Sequence, residues 1–440
     1  MTAAPPPATR RPGTTIGSVA VVLALIVAVA TGCTTGFSGT ERRAGTPQDP
    51  LPASALRDVV EPVTWLGASV LGELAASTDG NVAFSPSLLA TQLAMVRIGA
   101  ATATAAEIDG LLGLEDPAAG ERFVESIGVT TPLLESMVGP RRSSDRRGRV
   151  VIAEAVALWI QRGTEVGDTY LEELARTLDA GIRQVDFRSD AELARQAVNR
   201  WATDATDGRV EQLAPRGRIG TNTQLLSTGA LWLSAPWLHP FDAAATTEAP
   251  FTTDTGRVVN VDMMELPAAT GVSWARGPLW QAVELPYLGR ELSMVAIIAD
   301  PGANDVLERA LTAGFITEVT SSLSRTKARV RLPRFAFTTQ AVLAPSLTTL
   351  GAATLFDRDR ADLTALAPAE RLALTEVFQE VFVSADEEGS AARVAVTTNP
   401  PGPRRVPDVE VTFDRPFVVW IVDRTSRLPL MAASVGDPTQ

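Results

Sequence analysis

Asp386-Glu387-Glu388-Gly389-Ser390-Ala391-Ala392-Arg393-Val394-Ala395-Val396-Thr397-Thr398-Asn399 is a run of small, strand-compatible residues without a large apolar anchor. Ahead of it, Leu374 to Ala385 is apolar over a length that suits a buried strand. Behind it, past the proline-rich piece Pro400 to Pro407, Val409 to Phe413 and Phe417 to Val422 have the β-branched and aromatic content of further strands. The run is therefore tethered at both ends and has little to bury in between. Its side chains would fit an opening in a sheet. An ordinary surface loop is the plain alternative.

Composition narrows the function classes. The 440 residues allow one large domain or two to three smaller ones. A formal net charge of −12 argues against nonspecific binding to nucleic acid or to an anionic membrane surface, because the long-range field repels phosphates. Cys33 is the only cysteine and His239 the only histidine. That excludes an internal disulfide framework and a thiolate zinc cluster, and it removes most metal-ligand sets and Ser/His/Asp triads. No cofactor and no metal are expected. Ser324-Arg325-Thr326-Lys327 fits an S-x-x-K pattern, but the enzymes that use it need a second lysine in K-T-G, and Lys327 is the only lysine. His239, beside Pro240 and Phe241, reads as structural, and the chain reads as a non-enzyme.

The N-terminus carries Arg10 and Arg11, an apolar segment from Ile16 to Ala30, and Ala30-Thr31-Gly32 directly before Cys33. This resembles a bacterial lipoprotein signal, with Ala30 where leucine is usual. The resemblance implies a signal peptide over 1–32 and a lipid on Cys33 that holds the protein on the outer side of the cell membrane. An uncleaved anchor is the alternative. Thr34 to Pro52 is rich in Gly, Thr, Ser and Pro without an apolar period, so 33–55 is expected to be a flexible tether and 56–440 the folded domain.

Within the domain, Leu66, Val70, Leu71 and Leu74 recur at helical spacing, and Thr78-Asp79-Gly80 supplies a stop. Leu88 to Gly99 carries Leu89, Leu93, Met95 and Val96 and is apolar on more than one face, which predicts a central buried helix. Glu291 to Ile298, after the turn Leu288-Gly289-Arg290, and Phe417 to Val422, before Asp423-Arg424-Thr425-Ser426, read as hairpin strands. Helical patterns cluster in the first half, an α+β arrangement. Between Pro140 and Arg149 lies a basic island, Arg141, Arg142, Arg146, Arg147 and Arg149, which reads as a solvated loop.

A series of short motifs then stands in a telling order: Asn81 to Pro86, Leu93-Ala94-Met95, Gly99-Ala100, Thr104 to Ile108, Ala153 to Trp159, and Val185-Asp186-Phe187. Asn199-Arg200-Trp201 follows with Thr206 to Val210, then Trp237 to Phe241 with Val261 to Met264, Val283 to Tyr287, Val330 to Phe335, and Asp414 to Phe417. The series resembles the serpin family from about Leu56 to the end. The resemblance implies several helices around three mainly antiparallel sheets, with an exposed reactive-centre loop.

It also implies roles. The opening run becomes the hinge (Glu387, Gly389, Ser390, Ala391, Ala392) of a loop that acts as bait for a serine protease and inserts into the main sheet after attack. If Ser390 faces inward, then Ala392, Val394, Val396 and Thr398 do so too, and Arg393 faces solvent. Counting forward from Gly389 places the cleaved bond near Pro403, and counting back from Phe417 places it at Arg405-Val406. Arg405-Val406 is preferred, with Arg404-Arg405 second, because arginine suits a trypsin-like pocket. The sheet-opening region falls on Ser85, Leu88, Gly229 and Gln379, where the family usually has two serines, an asparagine and a histidine. Trp237 and Arg334 fall at the top of the sheet, Arg334 matching an ion pair with Glu387. Arg141 to Arg149 lies after a helix that binds polyanions in some members, which raises an anionic cofactor as an option. The expectation is a monomeric inhibitor of a trypsin-like serine protease. A non-inhibitory member serving as a cell-surface binding or scaffold module is the alternative, motivated by Pro400, Pro401 and Pro403 and by the altered residues under the sheet.

Overall fold

In the computed structural model, residues 1–2, 40–45, 51–143, 147–267, 272–304, 307, 310–391 and 406–440 are described. Phe37–Gln440 form one compact unit, separate from Met1–Gly36. The first long helix, Leu56–Ser77, buries Val59, Val63, Leu66, Val70, Leu71 and Leu74 at helical spacing. It is long and apolar enough to cross a membrane, but the face that makes it so is packed into the core. Pro86–Arg97 is the central helix. Its entry is fixed by Ser85, whose Oγ accepts the Leu88 N–H at 3.1 Å, and by Pro86 in the first turn. Every residue from Pro86 to Val96 is buried, because sheets and helices enclose this helix on all sides.

The strands form three sheets. The main sheet runs Thr40–Arg42, Ile182–Val185, Arg147–Gln161, Leu225–Pro236, Leu374–Ala385, Phe335–Val342. A seven-stranded antiparallel sheet has the order Ser324–Thr326, Val272–Arg276, Trp280–Pro286, Leu292–Ala299, Phe417–Asp423, Pro429–Val435, Val82–Phe84. Leu292–Ala299, Phe417–Asp423 and Pro429–Val435 are buried on both faces, which explains their unbroken apolar runs. The smallest sheet pairs Val409–Thr412, Ala328–Pro333, Val258–Leu266 and Thr247–Thr252. The expected hairpin turn at Leu288 to Arg290 is present, with Gly289 and Arg290 both at positive φ.

Two expectations need correction. Inside the stretch read as a flexible tether, Thr40–Arg42 forms a strand on the edge of the main sheet. Backbone pairing on a sheet edge requires no apolar pattern, so composition gave no warning of it. The basic island is likewise not a plain loop. Gly139–Arg142 pairs antiparallel with Arg147–Val150, setting Arg142 directly across from Arg147. The ribbon is held by Val150, which is in the core, while Arg142, Arg147 and Arg149 stay exposed.

The seven-stranded sheet carries one buried charge cluster. Glu284 is 2% exposed and accepts bonds from Arg427 Nη1 (2.8 Å), Ser293 Oγ (2.9 Å) and Arg424 Nε (3.1 Å). Burial alone would raise its pKa, but the two guanidiniums outweigh that and hold it down at about 2. Because the folded value lies below the ordinary 4.5, the stabilisation is complete above about pH 4.5 and is lost as pH falls towards about 2. Glu284→Gln leaves two arginines without their counter-charge and is expected to cost ~3 kcal/mol at pH 7. Urea titrations should show the gap between wild type and variant closing from pH 5 to pH 2.

Candidate functional site

The site is the seam between Leu225–Pro236 and Leu374–Ala385, the one place where two long central strands of the main sheet run parallel. Glu376 pairs with Leu226, and the register continues to Phe382 opposite Trp232. Beyond that pair the ladder ends and the strands part. The fork is filled by the chain itself: Gly389 pairs antiparallel with Pro236, and Ser390 with Ala235. A tight turn brings it there, in which the Asp386 carboxylate accepts the N–H groups of Glu388 (2.8 Å) and Gly389 (2.9 Å). Gly389 has no room for a side chain, since a Cβ would stand 2.7 Å from Pro236 Cα and closer still to Ala235 O.

Ser390 is buried in the fork. Its Oγ donates to Ser384 O at 2.7 Å and lies 2.7 Å from Tyr287 Oη. Ser384 Oγ in turn accepts the Ala391 N–H at 2.7 Å, and Ser234 Oγ donates to Ala391 O at 3.0 Å. Burial raises the Tyr287 pKa, so the phenol stays protonated and donates to Ser390. Tyr287 stacks on Trp237, with ring centroids 4.6 Å apart. Trp237 Nε1 donates to Asp386 O at 2.8 Å, and its backbone N–H donates to Glu388 O at 2.8 Å.

Arg334 grips Glu387 with two nitrogens, Nη2 at 2.6 Å and Nε at 3.3 Å, and reaches Asp262 with Nη1 at 2.9 Å. Thr246 Oγ1 adds a bond to Glu387 at 2.7 Å. Burial works against the Glu387 charge, and the bonds from Arg334 and Thr246 overcome it, leaving the pKa lowered. Sequence reasoning named Glu387, Arg334 and Trp237 for this corner. It did not single out Ser384 or Thr246, which no motif marks, and it quoted Asp386 and Tyr287 only within longer stretches.

At the other end, Val406 is 85% exposed, and the chain rejoins the fold where Val409–Thr412 pairs parallel with Ala328–Pro333. Cys33, Ala392 and the stretch from Arg393 through Arg404 and Arg405 lie outside the described residues. Ser324 Oγ is 3.5 Å from Trp274 O, and no hydrogen bond joins it to Lys327 among the described residues.

Comparison with known proteins gives this arrangement its place. The serpin (serine protease inhibitor) family profile matches residues 62–438. The chain belongs to the serpin family. It is 29% identical over 402 residues to a serpin-like protein of Thermococcus kodakarensis, covering 89% of each chain. It is 28% identical over 386 residues to plasminogen activator inhibitor 1 of Neovison vison, covering 86% of this chain and 92% of that one. Among solved structures, the thermophilic serpin tengpin in its native state superposes with a TM-score of 0.76 at 19% identity, over 91% of this chain and all of that one. The mouse protein-Z dependent protease inhibitor gives 0.74 at 21% identity, over 88% and 98%. Both share the serpin fold.

Under the seam, Ser85, Leu88, Gly229 and Gln379 form one packed unit. Gln379 Oε1 accepts the Ser85 N–H at 2.8 Å, while its Nε2 donates to Gln92 Oε1 (2.8 Å) and to Ser85 O (3.2 Å). Gln92, which sequence reasoning did not single out, donates to Phe378 O at 3.3 Å. Gly229 faces Gln379 across the seam and is bare because Leu88 fills its space: a Cβ there would meet Leu88 Cδ2 at 2.7 Å. The polar bonds thus tie Leu374–Ala385 to the central helix. On the other side, Trp159 Nε1 donates to Thr228 Oγ1 (2.9 Å), which donates to Ala157 O (3.3 Å), tying Leu225–Pro236 to its outer neighbour. Among the described residues, the side-chain hydrogen bond that spans the seam is at its far end, from Gln224 N–H to Thr375 Oγ1 at 3.3 Å.

Gly229→Ala should therefore cost about 1–3 kcal/mol by overpacking against Leu88. Leu88→Ala alone leaves a cavity and costs about 2–5 kcal/mol. In a double-mutant cycle the pair should be less destabilised than the sum, because each change relieves the other. Additive costs would show that Leu88 and Gly229 do not share this space.

Proposed function

We propose that this serpin traps a trypsin-like extracellular serine protease by inserting its loop into the seam. The observation that carries the reading is the fork: Gly389 and Ser390 already stand between the two strands, and no side-chain hydrogen bond crosses the middle of the seam below them among the described residues. In the proposed reaction the protease serine Oγ attacks the carbonyl carbon of Arg405, the Arg405–Val406 bond breaks, and the new amine leaves on Val406. An ester then joins Arg405 to the protease. The freed strand enters the seam and exchanges one parallel ladder for two antiparallel ones, which are slightly more stable per residue.

The register of the fork supports the fit. Continued downward, Gly389 opposite Pro236 and Ser390 opposite Ala235 bring Ala392 to Leu233, Val394 to Leu231 and Val396 to Gly229. Leu231, Leu233 and Ala235 line the inner core, so these hinge residues come to the apolar side. Val396, the residue that meets the central helix, arrives beside the bare Gly229. Arg393 comes opposite the half-buried Trp232, on the outer face.

Incubation with trypsin is expected to give a complex that survives SDS, and Arg405→Ala to abolish it while Arg404→Ala leaves most of it. Clean cleavage at every ratio would overturn the inhibitory reading. A cleaved form no more heat-stable than the intact protein would point instead to a non-inhibitory binding module. For location, the proposal is a lipid on Cys33 at the outer side of the membrane, and Cys33→Ser is expected to release the protein into the soluble fraction. Retention of that variant in membranes would indicate an uncleaved anchor.

A further inference from the structure

The strand Thr40–Arg42 is an added edge on the main sheet, and its docking site is shaped for it. It pairs antiparallel with Ile182–Val185 through Thr40 opposite Gln184, Glu41 opposite Arg183 and Arg42 opposite Ile182. The Arg183 guanidinium donates to the Glu41 carboxylate at 2.7 Å, and Arg43 pairs with Asp179, the left-handed residue that closes the helix Asp168–Leu178. Gly181 completes the cradle. A Cβ on it would stand 2.6 Å from Arg42 O and 3.0 Å from Arg43 Cβ, and its own φ does not demand glycine. The space it leaves is filled by the docked segment.

Arg183 reaches inward from this strand. Its guanidinium lies 5.8 Å from the ring centroids of both Trp159 and Trp201, which meet edge to face at 5.6 Å. Trp201 belongs to the helix Ala191–Ala205, whose buried face shares one apolar cluster with Ala230 on one side of the seam and Phe378 on the other. Trp159 holds Thr228, on the seam strand itself. Glu41 is thus the outer end of a line of contacts that leads through one arginine to the helix lying over the place where the sheet must part.

We propose that Thr40–Arg43 is an intramolecular restraint: docked on the sheet edge, it holds Arg183 against Trp201 and so keeps the covering helix seated over the seam. Undocking it loosens the helix and speeds entry of a strand. The second half of this statement rests on the proposed opening of the seam, whereas the first half does not.

The test uses the full chain with two substitutions. Gly181→Val expels the segment sterically, and Glu41→Gln removes one charge from its outer end. Hydrogen exchange is followed over Ile182–Val185 and Ala191–Ala205, together with the rate at which a synthetic peptide of this chain's own sequence 389–398 is taken up. Expected for Gly181→Val is about tenfold faster exchange in both elements and about tenfold faster uptake. Glu41→Gln should move both in the same direction by about twofold, as suits a solvent-exposed pair. Faster exchange at Ile182–Val185 with the helix unchanged in both variants would overturn the restraint and leave the segment a mere edge cover. Unchanged protection at Ile182–Val185 in Gly181→Val would overturn the docking site itself. If wild type takes up no peptide while the helix still responds to both substitutions, the restraint stands and the opening of the seam is what fails.

Discussion

Everything in this molecule is arranged around a parallel pairing of two strands that are buried on both faces. Leu225–Pro236 and Leu374–Ala385 lie side by side with the central helix Pro86–Arg97 on one face and the helix Ala191–Ala205 on the other. Apolar contact above and below holds them, since a parallel ladder adds slightly less per residue than an antiparallel one. The pairing stops at Trp232 and Phe382, and the hinge enters at that point because the strand ends have diverged and Gly389 can approach the backbone there.

Polar groups in a core are costly to orphan, so their attachments show which surfaces can separate. Gln379, Ser85 and Gln92 satisfy one another and belong to one strand and the helix beneath it. Thr228, Trp159 and Ala157 satisfy one another on the opposite strand and its neighbour. Dividing the sheet between these two sets breaks backbone ladder bonds, which an incoming strand can replace, and strands no side chain in the middle of the seam. A division one strand over, between Leu225–Pro236 and Arg147–Gln161, would cut the Trp159, Thr228 and Ala157 set. The Arg334, Glu387 and Thr246 cluster guards the entrance, where it fixes the turn that feeds the fork rather than the seam itself.

Much of this was legible in the chain. Unbroken apolar runs such as Leu374–Ala385 and Phe417–Asp423 marked buried strands, the helix at Pro86–Arg97 announced its burial by being apolar on more than one face, and the ordered motifs carried the fold. What escaped was long-range complementarity. That Gly229 is bare for Leu88, 141 positions earlier, is a fact about volumes in three dimensions, as is the meeting of Ser390 with Tyr287. Gln92 was read as one more residue of a buried helix because nothing local shows that its amide bonds Gln379. Thr40–Arg42 and the ribbon of Arg142 and Arg147 hid for another reason: edge pairing is made by backbone groups, and polar side chains leave no period to read.

Three glycines show how far packing, rather than local conformation, sets the residue at critical points. Gly389, Gly229 and Gly181 all lack the left-handed φ that usually calls for glycine. Each is instead bare because a specific neighbour occupies the place of its Cβ: Ala235 and Pro236 at the fork, Leu88 at mid-seam, Arg42 and Arg43 at the sheet edge. They lie where the hinge enters the fork, midway along the seam above the central helix, and where the N-terminal strand attaches. At each point the sheet gives up the stiffening of a side chain so that another segment can come close. The main sheet thus leaves room at these three points, and a separate segment or side chain fills each of them.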